Sequence, residues 1–156
     1  MIAIFGLLFC LMQAFIPAAG PELPIHLIYK KWVVTKIDPT GMPTWKGLSK
    51  EAKNANLNIN RKMIERSSYY EFQEDGKANI LVFNPFHEGQ FLDVPTTYTY
   101  DKEKRYITLQ ENEKKDGNDD IFRVPNMEYS VEKLGAKELV LVVVKNNYKL
   151  FFKPVQ

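Results

Sequence analysis

The clearest patterning lies at the end of the chain, over residues 127–154. Leu139, Val140, Leu141, Val142, Val143 and Val144 form an unbroken apolar run rich in β-branched side chains. Such a run predicts a strand buried on both faces. Asn146-Asn147 follows, and Asn tolerates the left-handed backbone that a two-residue hairpin turn demands. Tyr148-Lys149-Leu150-Phe151-Phe152 reads as the returning strand, and Gly135-Ala136-Lys137 as an earlier turn. Residues 139–144 are therefore predicted to be a central strand with a hairpin neighbour on each side.

Strand texture extends back through the chain. Residues 31–37 read as a first strand, ended by the turn residues Asp38-Pro39-Thr40-Gly41. A different period follows. Ala52, Ala55, Ile59 and Met63 recur at spacings of three and four, which predicts a helix within 49–65. Ser49 suits its N-cap, and Glu51 the positive end of its dipole. Asn54, Asn56, Asn58 and Asn60 are poor helix-interior residues, so a short helix followed by a strand is the competing reading. Strands resume at 68–72 and 78–83 across the turn Glu74-Asp75-Gly76, then at 96–100 and 105–110. Residues 111–120 read as a charged loop and 121–124 as another strand, with Pro125 as a break. Eight strands or slightly more, joined in order by hairpins, predict an antiparallel meander. It protects its edges best by closing. The expectation is an all-β, eight-stranded antiparallel up-and-down barrel with one helical insertion after the first strand. Such a barrel holds just enough room for its own side chains or one small ligand.

Alternation also assigns faces. With Glu71 and Gln73 toward water, Tyr70 and Phe72 point inward. Against Thr97, Thr99 and Asp101, Tyr98 and Tyr100 point inward. Leu150 and Phe152 do so against Lys149 and Lys153, and Trp32 and Val34 share that inner face. Trp32 is expected to plug one end of the barrel. Tyr70, Phe72, Tyr98 and Tyr100 are the candidate ligand-binding residues, aromatic wall with polar points. The competing reading is a filled core in which the hydroxyls find internal partners. Any site is expected between these aromatics and residues 44–65, with Ala52, Ala55, Ile59 and Met63 facing the interior as a lid.

Three short segments carry a family likeness. Lys31-Trp32-Val33-Val34 resembles a Trp-bearing first strand, and Phe72-Gln73-Glu74-Asp75-Gly76 the hairpin that follows it. Val131-Glu132-Lys133-Leu134 with Glu138-Leu139-Val140-Leu141 resembles the closing strands. In this the chain resembles the small secreted bacterial lipocalin-like proteins of the calycin type. The resemblance implies an up-and-down barrel, often with an apolar cavity, and no particular ligand.

Composition narrows the function classes. The formal net charge is +2 over 156 residues, too near balance to argue for nucleic acid or an anionic membrane. All 21 basic and 19 acidic residues lie after Gly20. The charge-free apolar run before it ends in Pro17-Ala18-Ala19 and reads as a secretory signal peptide over 1–19. A lipocalin-like domain over 20–156 then follows, secreted or periplasmic. The rival is an uncleaved N-terminal membrane anchor. Cys10 is the sole cysteine and sits in that run, so the mature chain would have neither disulfide nor thiolate chemistry.

No catalytic set assembles. Ser49, Ser67, Ser68 and Ser130 lie in no nucleophile elbow, and His26 and His87 stand apart. His87 beside Glu88 could shuttle a proton or bind metal but has no second ligand at motif spacing. Residues 115–120 lack the ligand spacing of a calcium loop. The sequence thus predicts a non-enzymatic protein without metal or cofactor. Its partner would be a small apolar or amphipathic molecule. The alternative is a protein partner, with a filled barrel acting as an interaction or inhibitor module.

Overall fold

A computed structural model describes residues 23–83, 90–115, 117 and 121–155. The expectations placed on 1–19 with Cys10, on His87, and on the acidic residues Asp116, Asp119 and Asp120 lie outside the described residues. The strands are β1 (Lys31–Asp38), β2 (Tyr69–Phe72), β3 (Lys77–Phe83), β4 (Phe91–Asp101) and β5 (Tyr106–Leu109). They continue as β6 (Asn112–Lys115), β7 (Ile121–Val124), β8 (Met127–Leu134), β9 (Leu139–Val143) and β10 (Tyr148–Pro154). One α-helix, α1 (Lys50–Glu65), joins β1 to β2. Eight strands close into a barrel in the order β1, β10, β9, β8, β5, β4, β3, β2. Every neighbouring pair is antiparallel. The all-β barrel with one helix after its first strand is as the sequence predicts. Among the described residues no helix is long and apolar enough to cross a membrane.

Period-two patterning places the core inside the barrel. Val94, Thr96 and Tyr98 are buried along β4, while Pro95, Thr97 and Thr99 are exposed. β1 departs from strict alternation. Trp32 and Val34 are buried, Thr35 and Lys36 are both exposed, and Ile37 is buried again. The pairing with β10 shifts between Val34 and Lys36, so a β-bulge inserts one residue and carries Ile37 back to the inner face.

The two barrel ends differ. At the end where β1 begins, the short 3-10 turn Ile25–Ile28 lies against the core with Ile28 fully buried. Trp32 Nε1 donates to the Ile28 carbonyl at 2.9 Å. Trp32, Phe72, Phe152, Leu134 and Leu139 pack this end. The other end, where β1 finishes and β2 begins, is spanned by α1. Ser49 caps the helix, its Oγ accepting from the Ala52 N–H at 3.2 Å. The helix runs unbroken through its asparagines, so the competing helix-then-strand reading fails.

Two further local expectations are corrected. Residues 121–124 are not a stave of the barrel. They form β7, which pairs only with β6 in a separate two-stranded hairpin. All four residues of β6 are exposed, so it carries no alternation to read. An Arg123–Glu113 ion pair at 2.9 Å bridges the two strands, and Lys114 Nζ donates to the Asp93 carbonyl at 3.2 Å. Phe122 and Val124 turn into the core. The loop after β9 also spans four residues rather than two: Val143 pairs with Tyr148, and the Val143 carbonyl accepts from the N–H groups of Asn146 and Asn147. Asn147 takes the left-handed backbone, at φ 56°. β9 has a buried inner face, but on its outer face Val142 is only half-buried, so burial on both faces holds in part.

Gly41 meets this loop. A Cβ placed on Gly41 would press into the Asn147 carbonyl, a backbone atom that cannot rotate away. Gly41→Ala is expected to destabilise the protein by about 1–3 kcal/mol, as overpacking does. Urea unfolding checks it, and an unchanged midpoint would mean that the β1 turn and the β9–β10 loop do not touch.

Candidate functional site

A cavity of about 470 Å³ opens at the helix end of the barrel. Its wall is built by the inward residues nearest that end. Ile80 and Val82 come from β3, Leu109 from β5, Met127 from β8, Val143 from β9 and Leu150 from β10. Met63 and Ile59 of α1 cover one side, and Arg123 of β7 borders another. Size, apolar wall and a few convergent polar groups are the properties of small-molecule sites.

The polar groups form a belt. Tyr129 pairs in register with Val143, and Val143 with Tyr148, so three adjacent strands bring two phenols to one level. The Tyr129 hydroxyl lies 3.0 Å from that of Tyr70 across the interior. Tyr148 donates to Asn60 Oδ1 of α1 at 2.7 Å. Burial pushes the Tyr70, Tyr129 and Tyr148 phenols above their ordinary range. All three are neutral at physiological pH. Asn60 is 7 % exposed and its Nδ2 has no hydrogen-bond partner among the described residues. A buried donor left unpaired costs about 1–3 kcal/mol, and such a group calls for an explanation.

The helix presents the apolar stripe read in the sequence only in part. Ala52 and Met63 are half-buried, but Ala55 is exposed and Ile59 is 38 % exposed at the cavity edge. The covered line is Ala52, Asn56, Asn60 and Ile64, spaced by four. The Asn60–Tyr148 hydrogen bond holds that face down. Asn56 Nδ2 turns back to the Ala52 carbonyl at 2.9 Å, which accommodates a second amide there.

Of the four aromatics singled out in the sequence, Tyr70 lines the cavity. Phe72, Tyr98 and Tyr100 do not border it and lie toward the opposite end. Phe72 and Tyr98 pack edge to face at 5.0 Å. The Tyr98 hydroxyl donates to the Gln73 carbonyl at 2.8 Å, and burial pushes that phenol up to about 12. Tyr100 is half-buried against the core. Tyr129, Tyr148 and Asn60 take their place at the cavity. Alternation could have found the two tyrosines, since Tyr129 shares a face with Val131 and Tyr148 with Leu150. Among the described residues no three His, Cys, Asp or Glu side chains gather to hold a metal ion.

No family model matches the sequence, and no curated protein matches it. Among solved structures, the chain is similar to a DUF4847 family protein from Bacteroides vulgatus ATCC 8482. The two are 14% identical over 81% of this chain and 93% of that one, with a TM-score of 0.45.

Proposed function

We propose that the protein is a lipocalin-like, non-enzymatic binding protein, secreted or periplasmic, that holds a small apolar or amphipathic molecule in the mouth of its barrel. The observation that carries this reading is the cavity of about 470 Å³ between the barrel wall and α1. Its apolar lining would desolvate a ligand, and its few polar groups would orient it. The alternative, an interaction module, needs a filled barrel. Among the described residues the Trp32 end is packed and the helix end holds the cavity, which favours the first reading. The proposed address rests on the charge-free apolar run over 1–19.

Titration with a fluorescent aliphatic probe tests the reading. Saturable binding is expected, and Val82→Trp, which fills the cavity from its wall, is expected to weaken it at least about tenfold. A thermal melt verifies that the variant is folded. Absence of saturable binding by any apolar probe would leave the interaction module as the better account.

A further inference from the structure

We infer that the cavity is built for an uncharged amphipathic molecule whose polar group is a carbonyl or hydroxyl oxygen, held by the Asn60–Tyr148 pair on the polar belt. This inference rests on the ligand-binding reading above and adds the class of ligand.

The first ground is the inventory of hydrogen-bonding groups. Asn60 Oδ1 accepts from Tyr148, while its buried Nδ2 has no hydrogen-bond partner among the described residues, and the residue lines the cavity and is 7 % exposed. Exchanging the two arms of the amide would instead free the Tyr148 hydroxyl hydrogen. Either way, the pair keeps an uncommitted donor. The Tyr70–Tyr129 pair adds another. Two hydroxyls 3.0 Å apart use one hydrogen between them, and the second stays available. The belt therefore asks for an acceptor oxygen.

The second ground is charge. Among the described residues lining the cavity, Arg123 alone is charged. It belongs to the rim, its side chain 57% exposed, and it is held by Glu113 at 2.9 Å and Glu111 at 3.7 Å. Among the described residues, a carboxylate at the belt would lose its water and find no cation there, and an ammonium would find no anion. Buried unpaired charge is strongly disfavoured. The upward shift of the belt phenols has the same origin, since the site resists negative charge on its own side chains.

Four probes of one chain length test this: decanol, methyl decanoate, decanoate and decane. Each displaces a fluorescent reporter from the purified protein at neutral pH. Decanol and methyl decanoate are expected to bind about tenfold more tightly than decanoate or decane. The double variant Asn60→Leu/Tyr148→Phe, which removes both donors of the pair, is expected to lower decanol affinity toward that of decane and to leave decane unchanged. The wild-type ranking stands as a test even if one variant does not fold. Tighter binding of decanoate, lost in Arg123→Ala, would overturn the inference in favour of an acid held at the rim. Equal binding of all four would overturn it by showing the belt to be silent while the ligand-binding reading survives. Failure of every probe to displace the reporter would overturn both.

Discussion

Trp32→Ala is expected to destabilise the protein by about 3–5 kcal/mol, the usual loss for a large aromatic removed from a core. The side chain is fully buried and sits in register with Tyr70 on β2 and Pro154 on β10. Its removal opens a void where the barrel end is otherwise packed by Phe72, Phe152 and Leu134. It also removes the Trp32 Nε1 hydrogen bond to the buried Ile28 carbonyl, which keeps only the Lys30 N–H, and with it a tie between β1 and the 3-10 turn over that end. In a chain of this size the melting temperature should fall by about 10–20 °C. Trp32→Phe keeps most of the volume and loses the N–H, so it should fall between the two. Probe affinity per folded molecule should change little, because Trp32 lies at the end opposite the cavity. Identical melting curves for wild type and Trp32→Ala would show that Trp32 closes nothing.

Alkaline pH should unfold the protein steeply. An exposed phenol in the unfolded chain loses its proton near pH 10. In the fold, burial holds the protons on Tyr70 and Tyr129 to higher pH. Above about pH 10 the unfolded chain therefore binds fewer protons than the folded one, and stability must fall as pH rises. The contribution is whole below the unfolded value and is lost on the way to the raised folded values. Each fully buried phenol removes at most about 1.4 kcal/mol per pH unit in that window. The pair together remove at most about 3, and Tyr148 and Tyr98 act in the same direction. Against a total stability of about 5–15 kcal/mol, a few pH units suffice. Tyrosinate absorbance and circular dichroism followed together check this. The buried phenols should ionise in the same step that abolishes the β-sheet signal. Ionisation of all eight tyrosines near pH 10 with the sheet intact would count against a buried belt.

Alternation placed Tyr70, Phe72, Tyr98, Leu150 and Phe152 on the inner face, and the structure buries each of them. It could not say at which height in the barrel each one sits. That depends on which residue of one strand lies opposite which residue of the next, and on bulges such as the one between Val34 and Lys36. Tyr70 and Phe72 are two residues apart on one strand. One borders the cavity and the other packs the Trp32 end. The helix shows the same limit. An apolar stripe at Ala52, Ala55, Ile59 and Met63 was legible, yet hydropathy alone does not register that an asparagine can find a phenol across the barrel mouth.

The local sequence by itself determined the strands with period two, the helix with its Ser49 cap, the turn at Gly76 with its positive φ, and the inward set of aromatics. These follow from the chirality of the backbone and from the burial of neighbouring side chains, which act within a few residues. Only the tertiary structure decided that β7 leaves the barrel to pair with β6, and that, among the described residues, one end is packed while the other holds the cavity. It also decided that Asn60, Tyr70, Tyr129 and Tyr148 converge. Asn60 and Tyr148 are 88 residues apart, and Tyr70 and Tyr129 are 59 apart. Their meeting is set by barrel closure and by the register of strands distant in sequence, for which periodicity in a single segment carries no information.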